Sequence, residues 1–180
     1  MNFKPIPNKF EYLNWQEIEC VAKNKRSTVI WPFGAVEQHG PHLPLATDSI
    51  FVDEIISEVF ELFPSDIPLK KLPTQYIGFS PEHKGFAGTI SLSSNLITSM
   101  IKEVGGQLSE MGFKRLILIN GHGGQISLLN TAARELRSFA PGMAVFPCFL
   151  WSGVNGLNEL LTQTEIENGL HASLAETSLM

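Results

Sequence analysis

Short apolar runs alternate with stretches of helical periodicity along this chain, and that alternation limits it to a few architectures. Residues 27–33 and the run "KRLILI", Lys114 to Ile119, are too short for helices and too apolar for solvated strands. Each reads as a buried strand. Residues 69–76 and 143–150 add two further strand candidates. Between them, Asp48 to Phe63, Asn95 to Met111 and Gln125 to Phe139 repeat apolar residues at helical spacing. Pro64 stops the first of these helices, and Gly105-Gly106 marks a weak point in the second. On the third, Ile126, Leu129, Ala133 and Leu136 are expected to face inward. Strand–helix–strand alternation predicts an α/β domain with a mostly parallel sheet. No internal repeat or low-complexity linker interrupts residues 1–180, which read as a single domain.

Composition removes several functions. A net charge of -5 provides no basic stripe for phosphates, so nucleic acid is not an expected partner. The longest apolar runs, "LILI" and "FPCFLW", are far below membrane-spanning length. The N-terminal "MNFKPIPNKFEYLNW" has no apolar core of a secretory signal. Cys20 and Cys148 stand alone in apolar surroundings without CxxC spacing. They are expected to be reduced core residues, which suits a cytoplasmic protein.

Chemistry concentrates where strands end. "GAVEQHGPHLPLATD", Gly34 to Asp48, places Glu37, His39, His42 and Asp48 after the first strand. On extended backbone, residues i and i+2 share a face. Glu37 and His39 should therefore point together while Gln38 points away. Asp48 opens the next helix, where it could also serve as an N-cap. Together these are the oxygen and nitrogen ligands of zinc, manganese or iron hydrolases. "ILINGHGGQ", Ile117 to Gln125, sets His122 at the end of another strand, the usual ligand position of an open α/β sheet. A phosphate loop fits poorly there, because GxGxxG requires glycine where Ile126 stands. "GFSPEHKGFAGTISL", Gly78 to Leu92, is a glycine-rich loop carrying Glu82 and His83. "HASLAETS", His171 to Ser178, holds a possible capping box, Ser173 with Glu176, or alternatively a metal carboxylate and a proton-transfer histidine. All five histidines lie in loops, which argues for one assembled site. "HASLAETSLM" begins a helix at which the chain stops, and we read the sequence as a piece of a longer protein, truncated at the C-terminus.

These motifs, in this order from position 34 to 180, resemble the creatininase (creatinine amidohydrolase) family. The resemblance implies a three-layer α/β/α sandwich holding two divalent metal ions, zinc or manganese with iron as a further option. It implies hydrolysis of a C–N bond in a cyclic or linear amide by a hydroxide held between the metals. Carried over by position, Glu37 and His122 would hold one metal, His39 and Glu176 the other, and Asp48 would bridge. His171 would be the catalytic proton carrier. The family also implies a small-molecule amide substrate and a homo-oligomer, often a hexamer. True creatinine hydrolases carry an aromatic residue and a glutamate where this chain has Gly123 and Gly124. They also place a tryptophan upstream of the position of His171, where this chain reads "IENGL"; Trp151 could match a second pocket tryptophan. The aromatic box for a flat ring is incomplete, so another amide is expected. Relatives acting on formamides or trimming a peptide mark the range. A non-catalytic binding module is one alternative; a redox or phosphoryl enzyme on a similar scaffold is another, against which the absent phosphate loop argues.

Overall fold

The computed structural model describes residues 8–64 and 66–180; the first seven residues of the N-terminal reading lie outside it. Four strands form one parallel sheet in the order β2-β1-β3-β4, with β1 at Thr28–Phe33, β2 at Leu69–Lys71, β3 at Arg115–Asn120 and β4 at Ala144–Phe149. Every residue of β1 is buried, as its continuous apolar run requires. β3 alternates instead: Leu116, Leu118 and Asn120 are buried and the residues between are only half covered. The second strand is shorter than its sequence pattern. Pro73 has no N–H for the ladder, although Leu72 and Gln75 still donate to the Ile30 and Pro32 carbonyls of β1.

Helices cover both faces. α1 (Trp15–Ala22), α3 (Ser94–Met111) and α4 (Ile126–Phe139) pack on one side around Ile97, Ile101, Leu116, Leu118, Leu129 and Leu136. α2 (Thr47–Leu62) covers the other side through Val52 and Ile56 against Ile30 and Leu69. The result is the expected three-layer α/β/α arrangement. Three short helices follow β4: α5 (Leu157–Leu160), α6 (Gln163–Asn168) and α7 (Leu174–Leu179). Among the described residues, no helix is long and apolar enough to cross a membrane.

The structure corrects several sequence expectations. Cys20 and Cys148 are exposed, not core. Cys148 lies on β4, the edge strand, whose alternate residues Ala144, Phe146 and Cys148 all face outward. On α2 only a narrow stripe meets the sheet, so Leu62 and Phe63 remain exposed. Ile126 is only half buried, while Ala132 joins the inward stripe of α4. Gly105-Gly106 is not a weak point, because α3 runs through it unbroken. A Cβ at Gly105 would lie 2.3 Å from Leu136, so glycine there lets α3 and α4 approach closely.

Connections fix where a site can form. The chain leaves β1 towards β2 through α2 on one face, then crosses to β3 on the other side of β1 through α3. The order therefore reverses between β1 and β3, and the loops leaving their carboxyl ends diverge. This is the crevice in which open α/β sheets bind ligands. Phe33 and Asn120 end the two strands in register, so both loops start at one level.

Candidate metal centre

Beyond β1, the backbone stays extended and is clamped on both sides. The Glu37 N–H donates to the Leu45 carbonyl, and the Ile90 N–H donates to the Val36 carbonyl. The expected alternation follows: Glu37 and His39 are fully buried, and Gln38 is half exposed on the opposite side. His39 Nδ1–H donates to the Glu37 carbonyl at 3.1 Å, which turns Nε2 towards Asp48.

Asp48 does not cap α2. The N-cap is Ala46, and Asp48 sits in the first turn, where the helix dipole favours a negative charge. Its carboxylate serves two histidines. Oδ1 lies 3.2 Å from His39 Nε2, and Oδ2 lies 3.0 Å from His122 Nδ1. His122 Nδ1 also lies 3.2 Å from Glu37 Oε1. Its other nitrogen donates to the Phe79 carbonyl at 3.0 Å, with Ser80 Oγ at 3.3 Å. Such outer partners fix which nitrogen of a histidine remains free as a ligand.

Burial and charge oppose each other throughout this cluster. Burial alone would lower the His122 pKa, but the Asp48 and Glu37 carboxylates push it up to about 10. His39 is raised in the same way: burial opposes, and Asp48 outweighs it. Burial would raise Asp48, yet His122 and His39 hold its carboxyl below the ordinary value. Glu37 is likewise lowered against its burial, by His122 and Ser80. Both Glu37 oxygens and Asp48 Oδ2 are nevertheless buried without a well-formed hydrogen bond, although histidine nitrogens lie close by. Buried carboxylate oxygens without a proper donor are costly. A pocket of this kind favours a cation between the carboxylates, and the donor set fits zinc or manganese.

Residues from far along the chain complete the cluster. His171 lies with its ring 4.4 Å from that of His39, and its Nδ1 is 3.8 Å from Glu37 Oε1. Glu176 takes the cap reading and also stands near the histidines. It forms the capping box of α7 with Ser173, and it groups with His39 and His171 so that one ligand atom from each lies within 4.8 Å of the others. His83 enters from the glycine-rich loop, its ring stacked on His171 at 4.5 Å. Four of the five histidines thus converge. His42 does not: it is exposed, and it pairs with Thr177 Oγ1 of α7 at 2.9 Å.

Gln125 is a site residue that pattern reading missed as a hub. It is fully buried, and its Nε2 donates to the Gly34 carbonyl and to Asn120 Oδ1. Its Oε1 accepts from the Phe79 N–H. Asn120 Oδ1 also accepts from the His122 N–H. One amide therefore ties together the loops after β1, after β3 and at residues 78–92. The signal was available: position 125 precedes Leu129, Ala132, Ala133 and Leu136 on the same buried stripe, so its polar side chain had to lie inside.

The cluster forms the floor of a cavity of about 680 Å³. Phe149, Trp151, Val154, Leu157 and Leu161 wall it, with Ile166 and Leu170 beyond. Trp151 stacks on Phe51 at 5.3 Å. Glu82 lines the cavity too, with Oε1 3.9 Å from His122 Nε2. A Cβ at position 124 would lie 2.1 Å from that oxygen, so Gly124 leaves room for Glu82.

The profile of the creatininase family, described as creatinine amidohydrolase, matches residues 11–180. The chain belongs to the creatininase family. The mycofactocin precursor peptide peptidase of Mycolicibacterium smegmatis is 36% identical over 122 residues, which are 67% of this chain and 49% of that protein. The creatinine amidohydrolase of Pseudomonas putida is 28% identical over 134 residues, covering 69% of this chain and 50% of that one. The chain thus spans about half the length of the curated relatives it matches. A solved structure named Creatininase Mn superposes with a TM-score of 0.79 at 26% identity, covering 97% of this chain and 72% of that chain. The parallel sheet with helices on both faces therefore agrees with the creatininase fold.

Proposed function

We propose that this creatininase-family protein hydrolyses the C–N bond of a linear amide with two divalent metal ions, zinc or manganese. The carrying observation is that Asp48 faces His39 with one oxygen and His122 with the other, while Glu37 beside it keeps both oxygens unsatisfied. Glu37 and His122 would hold one ion, His39 and Glu176 the second, and Asp48 would span both. Bound ions acidify a water and polarise the amide carbonyl. The protein's own part is to position and to move protons. The buried carboxylates supply negative charge to offset two dications. His171, anchored through Nε2, presents Nδ1 to the cavity as the catalytic proton carrier.

Three points favour a linear, peptide-like amide over creatinine. Gly123 and Gly124 replace the aromatic and glutamate of creatinine hydrolases, the apolar side chains of the cavity walls are aliphatic more often than aromatic, and the 36% identical relative is named as a peptide peptidase. A formamide is the competing substrate, and a non-catalytic metal-binding module the competing class. A homo-oligomer and a cytoplasmic location belong to the same proposal, to be checked by sedimentation and fractionation. The deciding experiment loads the purified chain with zinc or manganese, measures bound metal, and assays creatinine, formamides and short apolar peptides. Metal binding with peptide turnover is the expected result. Metal without any turnover would identify a binding module, and no metal would overturn the reading.

A further inference from the structure

Gln38 holds two histidines with opposite ends of itself. Its backbone carbonyl accepts from His171 Nε2–H at 2.6 Å, and its amide nitrogen donates to His83 Nδ1 at 3.0 Å. The amide cannot be reversed, because its Oε1 accepts from the Gly40 N–H at 3.0 Å. The Gln38 backbone is fixed in turn by its N–H donating to Thr89 Oγ1 at 3.0 Å. A neutral imidazole carries one proton. A carbonyl only accepts, so His171 bears its proton on Nε2. An amide nitrogen only donates, so His83 leaves Nδ1 bare and also bears its proton on Nε2.

The two rings therefore share a tautomer but meet the cavity with different atoms. His83 Nε2 and His171 Nδ1 each lie 3.8 Å from Glu37 Oε1. One is a donor and the other a lone pair. The rings stack at 22°, so turning either one disturbs the other.

We propose that Gln38 is a positioning residue that makes His83 a hydrogen-bond donor and His171 an acceptor at one end of the cavity. The inference rests on the amide-hydrolysis reading above. In that reaction His83 Nε2–H would steady the carbonyl oxygen as it gains charge. His171 Nδ1 would take a proton from the attacking water and pass it to the leaving nitrogen as the C–N bond breaks. A C–O bond forms, the amine leaves protonated once, and His171 ends as it began.

Nitrogen NMR of the histidine-labelled protein, with and without zinc, reads both tautomers directly. Histidine-to-glutamine variants at 83 and 171 assign the signals. Wild type should show Nε2–H on both rings. In Gln38→Glu the carboxylate can only accept, so His83 should acquire a proton on Nδ1. His171, held by a backbone carbonyl, should stay unchanged. Turnover should fall about 10–100-fold, the usual cost of an orienting partner, with KM and metal content little altered. Gln38→Met should leave His83 as a tautomer mixture, and it decides the matter with the wild-type spectrum if Gln38→Glu does not fold. Nδ1–H on His83 in wild type, or an unmoved His83 signal in both variants, would overturn the proposal. An inactive wild type with the expected tautomers would instead count against the hydrolase reading alone.

Discussion

His122 Nδ1 stands 3.0 Å from Asp48 Oδ2, joining the loop after β3 to the first turn of α2 across the crevice between β1 and β3. The second oxygen of the same carboxylate reaches His39. Both contacts sit below the surface, where a missing partner is expensive.

Under the proposed two-metal reading, Asp48→Ala should release both metal ions. Elemental analysis of the purified variant, with circular dichroism to confirm folding, checks this. Full metal content would remove Asp48 from the bridging role.

His171→Ala should behave differently. Its ring contacts the cluster, but its anchor is the Gln38 carbonyl. Metal should stay bound while turnover falls about 10²–10⁴-fold, the usual contribution of general acid–base catalysis. Steady-state kinetics on metal-loaded protein measure it, and wild-type turnover would exclude the residue from the chemistry.

Gln125→Leu should loosen the site from beneath. The Gly34 carbonyl, Asn120 and the Phe79 N–H would lose their shared partner. Stability should drop by at least about 1–3 kcal/mol, the cost of leaving a buried polar group unpaired. Metal affinity should weaken about 10–100-fold, as when outer partners of ligands are removed. Urea unfolding and metal titration read the two effects separately.

Gly105→Ala and Gly106→Ala should have different consequences. Alanine gains about 1 kcal/mol over glycine in a helix. At 105 the added methyl meets Leu136, which is fully buried and has nowhere to go. Overpacking of about 1–3 kcal/mol should win there. At 106 the neighbour is Phe139, 63% exposed and free to swing aside. That variant should be neutral or stabilised, and thermal melts of the pair decide.

Asp53 predicts a pH dependence away from the metal cluster. It ties α2 to β2 through Lys71 Nζ at 2.8 Å, and to the segment after β2 through Tyr76 OH at 2.8 Å and through Thr74. Burial alone would raise its pKa, but Lys71, Thr74 and Tyr76 lower it. A carboxyl lowered on folding stabilises fully above its unfolded value, about 3.9. That contribution fades as pH falls through the folded value. Asp53→Asn should thus melt below wild type at neutral pH, and the gap should close below about pH 4. A gap constant from pH 7 to 3 would contradict the assignment.

Much of this was legible in the chain. The buried run of β1 and the helical repeats of α2, α3 and α4 carry their own periodicity, so the α/β class followed from local pattern. Glu37 and His39 shared a face because extended backbone alternates. Glu176 was readable both as a cap and as a ligand; it forms the cap, and it lies beside His39 and His171. Local pattern failed where a neighbour decides burial. Cys148 looked like core because its sequence neighbours are apolar, yet β4 is an edge strand and one of its faces is open. Gly105-Gly106 looked weak because propensity cannot see Leu136 waiting across the helix interface.

The sequence by itself determined which residue types stand at the strand ends and which faces they take, since backbone geometry repeats over two or four residues. It also carried the family's motifs in order. Only the tertiary structure decided that β1 and β3 are adjacent at a reversal of strand order, which brings Asp48 and His122 to 3.0 Å. It likewise decided that His42 stays outside while His83 comes in, and which nitrogen of each histidine faces the cavity. Those choices depend on hydrogen bonds between residues far apart along the chain, such as Gln38 with His171, and no local spacing encodes them.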